Sequence, residues 1–279
     1  MENILSIDLE SWAHFRAVVL RDKSLRTSLD RKRYDNGCLP SAGDHLLNLL
    51  DKYHQKATFF IVAEVYDWYP ESINEIQKRG HEVGFHTYDH TLVCNRKILE
   101  DQLQKSSNFL NRFHPIGFRA PHIFITSDSL ACLKEHGFIY SSSTYDDGQK
   151  RTINGIEEIP VSASPWRRGH DGRADLPQAL NFRLLSRKIP FGNGGFIALF
   201  GSKISYFIDS FNRRGLPAVL FIHPWQLYAH KKVRRVCLEL ELLVRNPFYL
   251  LYPKNILTHF EKLLKRYQFT SFQEYFYGH

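Results

Sequence analysis

Carboxylate and imidazole side chains stand at the ends of several short apolar runs in this chain, and their types suit metal-assisted hydrolysis. The run Asn3-Ile4-Leu5-Ser6-Ile7-Asp8-Leu9-Glu10 closes on two acids. Side chains of a strand alternate faces, so Asp8 and Glu10 project the same way. Glu82-Val83-Gly84-Phe85 leads into His86 and then His90. With 14 His in the chain, a pair four residues apart arises by chance about once. Spacing alone therefore carries little. Arg119 and His122 follow the run that begins at Ile116, and His223 follows Pro217 to Ile222. Two imidazoles and one carboxylate make a three-ligand zinc set with one position left for water, whose pKa falls to about 7. Such an open set fits a catalytic hydrolase better than a structural zinc module.

These groups need elements that end together. Residues 3–10 read as a buried strand ending in acids, 56–63 as a second strand, and 82–85 as a third that delivers His86 and His90. Residues 116–119, 138–140 and 217–222 read as later strands, with Glu157 to Val161 as an edge strand because Pro160 lacks a ladder donor. Helices are expected from Ser41, as N-cap, to about His54, from Pro70 to Arg79, from about Arg96 to Phe113, after Thr126 or Ser127 up to Gly137, and from Ile204 to Arg213. Arg21 to Pro40 carries many charges and no period, which reads as a loop or insertion over the site. Pro165 to Gly201 reads as loops shaping one face. Strand and helix alternate at short intervals through the first half, which argues for parallel β/α units. In β/α barrels the C-terminal ends of the strands are where active sites assemble.

At 279 residues the chain is long enough for a substantial core, and 43% apolar with 24% charged content is globular. No internal repeat or linker appears, so one domain over 1–279 is expected, with a helical extension from about residue 231. The net charge of +8 suits an anionic partner or surface. Cys38, Cys94, Cys132 and Cys237 form no C-x-x-C, which points away from a zinc knuckle or disulfide scaffold and toward free thiols in a reducing compartment. No signal-peptide pattern precedes the first strand and no apolar run reaches spanning length. The expectation is a cytoplasmic protein, with peripheral contact at the inner face of the membrane open to it. No nucleic-acid-binding motif is present.

Six segments in order, S-I-D-L-E, K-A-T-F-F, G-H-E-V-G-F-H-T-Y-D-H, G-F-R-A-P, E-I-P-V and L-F-I-H-P-W, resemble the NodB-like polysaccharide deacetylases of carbohydrate esterase family four. The resemblance is closest to the bacterial exopolysaccharide and lipopolysaccharide-locus branch, which shares a glycine-rich turn like Phe191 to Phe196. It implies a distorted (β/α) barrel of about seven strands and removal of an N-acetyl group from an amino sugar. By position it implies His86 and His90 as ligands of zinc or another divalent metal, Asp8 as general base, His223 as general acid, and Arg119 as the group that holds Asp8. Most relatives have two adjacent aspartates in the first motif, whereas here Leu9 separates Asp8 from Glu10. The same-face argument allows Asp8 and Glu10 to share a site, so the resemblance is taken to imply Glu10 as the third ligand, the alternative being an outer-shell Glu10 with the metal on the two histidines and Asp8.

His122 has no assigned role, while Tyr88, Phe124, Trp166 and Trp225 are candidate sugar-stacking walls. Arg167, Arg168, Lys231, Lys232, Arg234 and Arg235 are candidates to attract the phosphates of a nucleotide- or lipid-linked glycan substrate. Two other functions compete: hydrolysis of a different C–N bond, as in a deformylase or cyclic amidase, and non-catalytic carbohydrate binding by a degenerate site.

Overall fold

A computed structural model describes residues 1–15, 24–166, 182–185, 187–227, 243–244, 250 and 255–278. Its centre is β1 (Asn3–Leu9), whose seven residues are all buried. A strand covered on both faces has no need of polar alternation, and this one reads as a near-continuous apolar run. The other strands of its sheet are β2 (Thr58–Ile61), β3 (Glu82–Phe85), β4 (Gly117–Phe118), β5 (Tyr140–Ser141), β6 (Arg151–Ile153), β7 (Ile156–Glu158), β8 (Val219–Ile222) and β9 (Phe269–Thr270). Their order is β8-β1-β2-β3-β4-β5-β7-β6, with β9 also paired to β1. Strands β8, β1, β2, β3, β4, β5 and β7 run parallel, as does β9 beside β1, and β6 is antiparallel. This is a curled α/β half-barrel, in keeping with the distorted barrel expected.

The gap between β7 and β8 is spanned by irregular chain. Gly192 N–H donates to Ser162 O at 2.9 Å, and Phe221 N–H donates to Gly192 O at 2.7 Å. A Cβ at Gly192 would stand 2.3 Å from Val219 O and 2.9 Å from Ser162 N. Only glycine lets the backbone lie this close to two neighbours. Gly117 in β4 is equally constrained, since its Cβ would meet the Tyr140 ring at 2.1 Å.

The core lies between sheet and helices. Leu46, Leu47 and Leu50 of α2 (Cys38–Lys52) are almost fully buried, and each such side chain contributes about 1.5–3 kcal/mol relative to exposure. Several boundaries differ from the sequence reading. Of Arg21 to Pro40, the described part is largely helical: α1 (Ser28–Asp35) is capped by Thr27 Oγ1, which accepts from Asp30 N–H at 3.2 Å. Asn36 and Gly37 both take left-handed φ, at 51° and 74°, and α2 starts at Cys38, so Ser41 is not its N-cap. The Arg96 to Phe113 helix is two helices, Arg96–Lys105 and Ser107–Phe113, joined at Ser106. Glu157 to Val161 is not the sheet edge. Glu157 and Glu158 belong to β7, which β6 covers, and Pro160 stands outside the ladder. Lys231 to Arg235, Cys237, Arg167 and Arg168 lie outside the described residues, as do residues 231–242, 245–249 and 251–254 of the expected C-terminal extension.

Candidate metal centre

The C-terminal ends of β1, β3, β4 and β8 bring together every residue singled out for catalysis or metal binding. Glu10 follows β1 through a tight turn in which its N–H donates to Asp8 O at 3.1 Å. Asp8 and Glu10 thereby face one site. His86 leaves β3, and its N–H donates to Ile61 O at 2.9 Å. Thr87 and His90 both have left-handed backbones, at φ 65° and 62°, a conformation that costs about 1–3 kcal/mol for non-glycine residues and needs outside support. Ala63 N–H to Thr87 O, Glu64 N–H to Tyr88 O and Tyr88 N–H to Gln102 Oε1, each 2.9 Å, supply it.

Glu10, His86 and His90 form a cluster whose donor atoms all lie within 4.8 Å of one another. His90 Nε2 is 2.7 Å from Glu10 Oε2, yet that oxygen is buried and has no partner in hydrogen-bond geometry. Two donor atoms that converge without bonding fit ligands aimed at a common ion. His86 Nδ1 donates to Arg119 O at 2.6 Å, which fixes the ring and leaves Nε2 able to serve as a ligand atom, as outer partners of metal-bound imidazoles do. The nitrogen and oxygen donors suit zinc or a similar divalent metal.

Arg119 serves a second neighbour. Its Nη1 donates to Asp8 Oδ1 at 3.3 Å, and its Nη2 donates to Ser6 Oγ at 3.0 Å and Ser142 Oγ at 3.1 Å. The guanidinium lies between the rings of Phe60, 4.6 Å away, and Phe221, 5.1 Å away, so cation–π contact offsets part of its burial. His223 Nε2 is 3.2 Å from Glu10 Oε1. The His223 ring stacks on Trp225 at 4.3 Å, and its backbone N–H donates to Gln226 Oε1 at 2.9 Å.

Protonation follows from burial and neighbours. Burial pushes the Asp8 carboxyl up, against the pull of Arg119. Burial also disfavours ionised Glu10, but His90 and His223 hold it well below the usual carboxylate range. Burial and the nearby His90 keep His86 well below an ordinary imidazole, whereas Glu10 overcomes the effect of burial and raises His90.

His122 is exposed, with its ring 5.0 Å from that of His90. A cavity of about 280 Å³ opens beside Glu10, walled by Ser11, Trp12, Cys38, His45 and Trp225 among others. Among the described residues Tyr88, Phe124 and Trp166 do not line it. Tyr88 instead donates to Asp67 at 3.2 Å, and Trp166 is exposed with its indole N–H on Leu185 O. The sequence reading missed a buried group next to the centre: His14, Glu64 and Arg31. The cap signature Thr27-x-x-Asp30 and the Asn36-Gly37 stop were the only signals for the helix that carries Arg31.

Residues 33–141 match the polysaccharide deacetylase family model, and residues 142–277 match a domain of unknown function (DUF3473). The likeness to polysaccharide deacetylases thus lies in residues 33–141. The chain is 29% identical over 131 residues to a peptidoglycan-N-acetylglucosamine deacetylase of Bacillus cereus, covering 45% of this chain and 62% of that one. It is 34% identical over 103 residues to a peptidoglycan deacetylase of Helicobacter pylori, covering 35% of each. The chain thus spans less than two thirds of the length of these relatives. A crystal structure of a candidate polysaccharide deacetylase from Mycobacterium smegmatis shares the fold, with a TM-score of 0.53 and 19% identity, over 81% of this chain and 78% of that one.

Proposed function

We propose that the protein is a metal-dependent N-deacetylase that hydrolyses the acetamide of an amino sugar during synthesis of a bacterial surface glycan. The observation that carries this reading is the convergence of Glu10, His86 and His90 beside an Asp8 held by Arg119 and a His223 held by Gln226. A divalent cation, zinc in this proposal, would supply Lewis acidity to the acyl carbonyl and to the attacking water. Asp8 takes the proton from that water as its oxygen joins the carbonyl carbon. The Arg119 guanidinium keeps the Asp8 carboxylate oriented for this. His223 gives a proton to the amide nitrogen as the C–N bond breaks, because an amide anion is too basic to leave at neutral pH. The products are acetate and the free amine.

The relatives' named activity on N-acetylglucosamine in peptidoglycan supports the bond, and the net positive charge supports a nucleotide- or lipid-linked precursor over a neutral polymer. The proposal places the reaction in the cytoplasm or at the inner membrane face. Cys94 and Cys132 are free thiols, which agrees with a reducing compartment. Among the described residues no helix is long and apolar enough to cross a membrane. The test is to incubate zinc-loaded protein with N-acetylated nucleotide sugars and lipid-linked glycans and to follow mass. A loss of about 42 daltons with acetate release supports the reading. Formate release would instead identify a deformylase, and sugar binding without turnover a non-catalytic protein.

A further inference from the structure

The group missed by the sequence reading lies between the two stretches that carry the metal ligands. His14 Nδ1 accepts from the N–H of Ser11, the residue after Glu10, at 3.0 Å. With Nδ1 accepting, the ring proton sits on Nε2, which lies 2.5 Å from Glu64 Oε1. Arg31 of α1 grips the same carboxylate with two bonds, Nε to Oε1 at 2.6 Å and Nη2 to Oε2 at 2.7 Å. Glu64 N–H in turn holds Tyr88 O in the strained loop between His86 and His90. His14 and Glu64 side chains are fully buried, and the His14 ring stacks on Trp68 at 5.3 Å. A second tie runs from Ser11 Oγ to Asp35 Oδ1 at 2.5 Å, at the other end of α1.

A buried set of charged and polar groups is a poor source of net stability, since apolar packing of the same volume often does as well. Its use here is geometric. We propose that His14 and Glu64 are positioning residues that form a cross-brace, fixing the Glu10 turn against the His86–His90 loop and so setting the geometry of the metal centre. Arg31 locks the brace by orienting the Glu64 carboxylate. The inference rests on the metal-centre reading above.

The test uses the full chain titrated with Co²⁺, whose visible bands report ligand geometry, alongside Zn²⁺ competition and thermal melts. His14→Asn keeps an acceptor near the Nδ1 position but loses the reach to Glu64. His14→Gln keeps a donor toward Glu64 but loses the bond to Ser11. Both are expected to weaken Co²⁺ binding about 10–100-fold, the range typical for outer partners of metal ligands, and to alter the Co²⁺ spectrum of the fully loaded protein. Arg31→Gln, at a partly exposed site, is expected to give a smaller loss in the same direction. It decides the matter if the His14 variants fail to fold. Folded variants with wild-type affinity and spectrum would overturn the brace. A wild type that binds no Co²⁺ would overturn both the brace and the metal reading, so the two failures are told apart by the parent protein alone.

Discussion

Buried carboxylates occupy both ends of the parallel strands, and the contrast between them separates chemistry from scaffolding. At the N-terminal end, Glu82 is saturated by neutral donors: Tyr140 OH at 2.8 Å on one oxygen, and Thr58 Oγ1 at 2.5 Å with Gln273 N–H at 2.8 Å on the other. Burial raises its pKa, which those donors only partly offset. At the C-terminal end, Glu10 faces two imidazoles, keeps an unbonded oxygen and is held well below the usual range. The histidines differ in the same way. His81 at the N-terminal end lies beside Phe59 with neither nitrogen bonded, and burial lowers it to about 4. His86 has one nitrogen bonded and the other directed into the cluster. Burial is therefore no guide to function here; an unfilled acceptor among convergent donors is.

The sharpest way to break this contrast is Asp8→Asn. Acetate release from an accepted substrate should fall about 10²–10⁴-fold, the scale of one general-base step, while Co²⁺ still binds. Wild-type turnover in that variant would remove Asp8 from the chemistry. At the opposite end, Tyr140→Phe leaves one Glu82 oxygen without its donor and should cost about 1–3 kcal/mol in denaturant unfolding, with turnover per folded molecule unchanged. Equal loss of metal affinity in Tyr140→Phe and Glu10→Gln would erase the distinction between the ends.

The pH dependence of stability should also have opposite signs. The folded pKa of Glu82 is raised above its ordinary 4.5. Its contribution is complete below 4.5 and declines as pH rises through the folded value. Burial opposes ionisation of Glu64 too, but His14 and Arg31 depress its pKa below 4.5. That contribution is complete above 4.5 and declines as pH falls through the folded value. Melts across pH should therefore show Glu82→Gln flattening the higher-pH side and Glu64→Gln the acid side. The smallest effect belongs to Arg96, whose pairs with Glu100 and Glu135 are surface contacts; Arg96→Ala should leave Tm unmoved at high salt, where exposed pairs contribute little.

What the sequence made legible follows from what leaves a one-dimensional mark. Strands β1, β2, β3 and β8 are apolar runs with polar terminators, and the helix Ile204–Arg213 carries a clear apolar stripe. All appear close to where periodicity put them. Helix α1 leaves no stripe because polar contacts, the Arg31–Glu64 ion pair and the Ser11 hydroxyl bond to Asp35, tie it to the molecule. The break at Ser106 is a single-residue change of direction inside one apolar pattern. In the site, motif order singled out Glu10, His86, His90, Asp8, His223 and Arg119, which the fold brings together. It was silent about His14 and Glu64, because a buried histidine and a glutamate 50 positions apart have no spacing rule to announce them.

The place of β1 in the sheet also has a consequence for biosynthesis. Strand β1 lies between β2 and β8, and Ser6 bonds Leu220 across 214 positions of sequence. Until β8 emerges, a nascent chain holds β1 with one long edge unpaired, an aggregation-prone state that a non-local topology prolongs. Glu10 likewise meets His223 only once the chain through β8 exists. The candidate site is thus completed late, and a chain truncated before β8 would expose the edge of its central strand to other nascent copies.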